Sequence, residues 1–235
     1  AISNIALDLI GQARNFYQYA ALLINQSNEQ TQSDKSSFPS PGGGGWVGAV
    51  TEDSLAYFRN TTDFKNCLLV ELEKGDWAMT TLRQFFFSTY QFYFYQQLQK
   101  SKDKTLAAIA EKSLKEVTYH LRWSAEWVIR LGDGTEESNP RINEALQILW
   151  PYTAELIMNA DYETALLENG IAVDLNLIQD QWMKKIKEVF TSATLQIAEK
   201  GDALTGGKQG KHTENLTALL EEMQILQRTY PGAEW

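Results

Sequence analysis

The sequence predicts an all-α fold, with helices long enough for a four-helix bundle and further helices added to it. Three observations predict it. Apolar residues recur at steps of three and four through most of the chain. The two longest periodic stretches, 76–100 and 103–131, contain neither glycine nor proline. Helix stop and start signals punctuate the rest: Gly132 and Gly134, Pro140, Pro151 and the pair Pro231-Gly232.

Each element follows in order. Residues 2–24 place Ile2, Ile5, Leu9, Ala13, Phe16, Ala20 and Leu23 at helical spacing, so the segment reads as a helix with one buried face. Residues 26–53 are rich in serine, glycine, glutamine and proline and lose that periodicity. So long a connection inside a compact domain reads as a flexible insertion, a lid or a disordered segment. The stretch 76–100 is crowded with aromatic residues, which taken singly favour strands. Its unbroken length instead predicts a helix buried on more than one side. Residues 103–131 give the clearest stripe: Leu106, Ala110, Leu114, Val117, Leu121, Ser124, Val128 and Leu131.

After Gly132 and Gly134, Ser138-Asn139-Pro140 opens a helix carrying Ile142, Leu146, Leu149, Thr153 and Leu156. Pro151 kinks it or breaks it in two. Asp161 and Asp174 suit the caps of a short helix and of a longer one through Phe190. The glycine-rich loop LTGGKQGKHT precedes a last helix, 213–230, with Leu216, Leu219, Leu220, Met223, Leu226 and Tyr230 inward. There is no internal repeat, and residues 1–235 read as one domain.

Composition narrows function. The 235 residues carry a net charge of -9, whereas duplex nucleic acid demands a basic face. No apolar run is long enough to span a bilayer. The single cysteine, Cys67, rules out an internal disulfide and suits a reducing, cytoplasmic setting. It has no histidine nearby in sequence, and no Gly-x-Ser-x-Gly elbow appears. The chain opens on Ala1 already inside a periodic pattern, so residues are expected before it.

The segment KEVTYHLRWSAEWVIRLGDGT, 115–135, puts Glu116 and His120 on one helical face. Di-iron sites in four-helix bundles take a glutamate from each of two helices and Glu-x-x-His from each of the other two. Here the spacing is i,i+4, and the pair lies roughly 90° from the Val117–Leu121–Val128 stripe at about 100° per residue. Trp123 and Trp127 share that flank. The only other histidine, His212, lies in the glycine-rich loop, and the aromatic helix contains no Asp or Glu over 77–100. The pair therefore reads as a degenerate metal site: an internal Glu–His hydrogen bond, or a pairing with Lys115 or Arg122. A rival set, Asp8, Glu116, His120 and Glu155, would make an atypical di-iron oxidase.

Lys208, Lys211 and His212, beside glycines and ahead of a helix, could touch an anion or an acidic partner surface. The loop lacks the Walker pattern, and a structural turn before the last helix is the plainer reading.

The stretches LDLIGQARN, KEVTYHLRWSAEWVIRLGDGT, LENGIAVD, TGGKQGKHTENL and EMQILQRTYPGAEW closely resemble the C subunits of bacterial phenylacetyl-CoA epoxidases. The likeness covers most of the chain in order. It implies a ferritin-like fold and a non-catalytic, structural role within a multicomponent monooxygenase of aerobic phenylacetate degradation. It implies no cofactor in this chain and a di-iron centre in a homologous catalytic A subunit, with a reductase passing electrons from NADPH. Self-association is compatible with the same reading. The Ser/Gly-rich 26–53 segment departs from the family pattern, where a shorter connection is expected. A free-standing helical interaction protein is the rival outside enzymology.

Overall fold

The computed structural model describes residues 1–32, 49–197, 202–231 and 233. Eight α-helices and several 3-10 turns, with no strand, make up the described residues. They form two compact units. One comprises residues 1–65 and 212–235, the other residues 66–211.

In the first unit, α1 (Ile2–Gln32) runs beyond residue 24, where the apolar periodicity ends. Part of the expected 26–53 insertion is therefore helical, and residues 33–48 of it lie outside the described residues. Ile5 and Gln12 are buried on the inner face, but Ile2, Ala13 and Leu23, expected inward, are exposed. Asn25 fastens the returning chain by donating to Val50 O and accepting from Val50 N. The short helix α2 (Glu52–Tyr57) starts on a capping box between Thr51 and Ser54. Glu52 then accepts from Gln18 and Arg14 of α1, at 3.0 and 3.3 Å.

The last helix of the chain, α8 (Glu214–Thr229), belongs to this unit and buries only Leu216, Leu220 and Gln224. Leu219, Met223, Leu226 and Tyr230, expected inward, are 39–59% exposed. The reason is polar. The last carbonyls of α2 have no partners within the helix. Gln224 donates to Ala56 O and Arg59 O, and Arg228 donates to Phe58 O and Arg59 O. Those bonds turn the glutamine stripe inward instead of the wider apolar face.

The second unit holds the main core. The helices α3 (Trp77–Leu98) and α4 (Lys104–Gly132) pack along each other, and α5 (Ser138–Leu149) and α7 (Asn176–Ser192) each lie against both. Asp76 caps α3 through Met79 N, and Asp103 caps α4 through Thr105 N and Leu106 N. Phe85, Phe86, Trp182 and Phe190 close the centre, and the Trp182 indole donates to Phe86 O at 3.2 Å. Buried hydroxyls on α3 bond back along the helix, Thr81 to Trp77 O and Thr89 to Phe85 O, so few polar groups are stranded.

Pro151 breaks the helix after Leu149 into two 3-10 turns, Trp150–Tyr152 and Ala154–Ile157. The short helix α6 (Asp161–Leu167) starts one residue earlier than the sequence suggests, with Ala160 at the cap and the Glu163 carboxylate accepting from Ala160 N. This all-α architecture, with four helices sharing one core, is the one the sequence predicts.

Candidate functional site

Ser113 and Glu116 of α4 meet Tyr95 of α3, and these residues make a polar seam between the two helices. His120 and Ser113 are buried, and Glu116 is half-buried. From α3 come Gln91 and Tyr95, both buried. The Tyr95 phenol is pushed up to about 12, first by burial and in part by the Glu116 carboxylate, while hydrogen bonds to Gln91 and Ser113 act against the rise. Where α3 would have to supply carboxylates to a metal, it supplies an amide and a phenol. The amide is a weak ligand, and burial holds the phenol protonated, in the form that binds iron poorly. Among the described residues, no group of three or more His, Cys, Asp or Glu side chains converges as a metal site. The residues of the seam do not fit a di-iron cluster. The flank carries aromatic rings: Trp77 stands edge-on to Trp123 at 5.8 Å and to Trp127 at 5.2 Å.

Glu155, a member of the rival ligand set, is fully committed elsewhere. It is 2% exposed. Its carboxylate accepts from Leu68 N at 2.7 Å, Gly206 N at 2.9 Å and Lys208 N at 3.1 Å. One buried anion thus clamps two loops to the turn after Pro151. Asp8 sits half-buried on α1.

The three basic residues of the glycine-rich loop separate. The Lys208 ammonium turns inward, 3.0 Å from Glu163 Oε2 and 2.8 Å from Met158 O. His212 Nε2 lies 2.9 Å from Phe64 O. Lys211 alone is exposed. The loop's glycines serve close approach: a Cβ on Gly207 would overlap Asn66 O. Cys67 is buried beside this clamp, and its thiol is raised to about 12 by burial and by Glu155. Glu155 and Glu163 are the residues that the sequence reading did not assign to these tasks. The one available sign was an acidic residue within an otherwise apolar turn. For the seam, the sign was the polar spacing Ser88, Gln91, Tyr95 inside the aromatic run.

The fold and the seam describe an all-α helical-bundle protein, four of whose helices share one core. The chain belongs to the family described as "Phenylacetic acid catabolic protein", which it matches over residues 1–235. It is 40% identical over its whole length to the C subunit of the 1,2-phenylacetyl-CoA epoxidase of Escherichia coli (strain K12), and it spans 86% of that protein.

Proposed function

We propose that this chain is the non-catalytic, structural subunit of a phenylacetyl-CoA epoxidase, the ring-epoxidising monooxygenase of aerobic phenylacetate breakdown. The assignment rests on the end-to-end likeness to the C subunit of such an epoxidase. The non-catalytic part rests on the seam: α3 faces Glu116 with Gln91 and Tyr95, and Glu155 is spent on three backbone amides. Oxygen activation at a di-iron centre then belongs to a homologous catalytic subunit. This chain's task is to hold that subunit's helices in place, as rigid supporting contacts do around any precise site. Further epoxidase subunits, including a reductase, complete the assembly.

The reading is tested by co-expression with the catalytic subunit from the same organism. The two chains co-purify, and Glu116→Gln in this chain leaves the iron content of the complex unchanged. Loss of iron in that variant would place a ligand in this chain and overturn the proposal.

A further inference from the structure

The helix α6 ends in a turn whose chemistry reaches beyond packing. Gly170 has φ +69. Gly170 N donates to Leu167 O at 2.8 Å and Ile171 N to Leu166 O at 3.1 Å. These two bonds and the left-handed glycine make a Schellman cap. The same turn is braced from the α3–α4 connection. Lys102 N donates to Gly170 O at 2.9 Å, and the Ser101 hydroxyl donates to Ile171 O at 2.8 Å. The residue before the glycine is Asn169, and it is exposed to water.

Asn-Gly is the dipeptide in which a backbone amide most readily attacks the preceding side chain, because glycine carries no Cβ to obstruct the approach. The Gly170 nitrogen loses its proton and bonds to Asn169 Cγ, ammonia leaves, and a five-membered succinimide forms. Water then opens the ring at either carbonyl, giving aspartate or isoaspartate. No oxidant or other co-reactant is required.

We infer that Asn169–Gly170 is a latent deamidation site, held unreactive by the Schellman cap and its Lys102 and Ser101 braces. While the cap is closed, the attacking nitrogen is committed to Leu167 O and its geometry is fixed. Reaction proceeds only from the fraction of molecules in which the turn has opened. Isoaspartate adds a backbone carbon, so the modified turn cannot reclose on Lys102 and Ser101. Opening is thereby recorded covalently.

The experiment incubates the full chain at neutral pH and 37 °C, folded and in urea, and follows the mass of the peptide spanning residue 169. The folded chain deamidates roughly tenfold or more slowly than the unfolded one, in proportion to the rarity of the open turn. Ser101→Ala, which removes one brace without touching the dipeptide, moves the folded rate toward the unfolded rate. Asn169→Ala abolishes the mass change in that peptide. Equal rates in folded and unfolded chain, an unaltered rate in Ser101→Ala, or a mass change that persists in Asn169→Ala would overturn the inference.

Discussion

Glu155 shows how much one side chain can organise. Three buried N–H groups from two separate loops depend on its carboxylate. Removing it strands all three, and each stranded group costs about 1–3 kcal/mol. Glu155→Ala is therefore expected to lose at least about 3 kcal/mol in urea unfolding, with Glu155→Gln intermediate. An unchanged midpoint in the alanine variant would contradict the clamp. Tyr95 and Cys67 make a pH prediction of definite sign. Tyr95 is raised from its ordinary 10.0 to about 12, and Cys67 from 9.0 to about 12. A raised folded value means that the protonated form is favoured by folding. Their contribution is complete below pH 9 and is lost as pH climbs toward 12. Alkaline titration is expected to show a stability loss confined to that window, with thiol reagents reaching Cys67 only on unfolding. Rapid labelling of the folded chain at neutral pH would count against its burial.

At the scale of elements, α3 and α4 were legible because both carry their own cap and an unbroken helical period. The break at Pro151 was legible because proline lacks the amide that the helix needs. Other features were not. The α1 extension past residue 24 and the short α2 have weak apolar periodicity, and only the Thr51/Ser54 box marks the latter. In α8 the sequence offers two apolar stripes, and period alone cannot choose between them; hydrogen bonding through Gln224 decides. The candidate site was half legible. The spacing of Glu116 and His120 and the carboxylate-free α3 stand in the sequence, but the partnership of Lys208 with Glu163 joins the glycine-rich loop to α6, an approach no local pattern encodes. One close approach yields a direct test. A Cβ on Gly132 would overlap Ala193 O, where α4 meets the end of α7. Because backbone cannot yield as a side chain tip does, Gly132→Ala is expected to cost roughly 1–3 kcal/mol or more. Thermal unfolding of that variant at the wild-type temperature would show that the helices part freely.

The described residues make a helical protein whose main core is rich in aromatic rings. The chain belongs to the phenylacetic acid catabolic family and is alike end to end to the C subunit of an epoxidase, and among its described residues no three His, Cys, Asp or Glu side chains converge. The most direct test of that account is iron analysis of the chain purified alone and again after co-expression with its catalytic subunit. The account predicts iron only in the complex, at the level the catalytic subunit holds by itself. Stoichiometric iron bound by the lone chain would contradict it and make Glu116 and His120 true ligands.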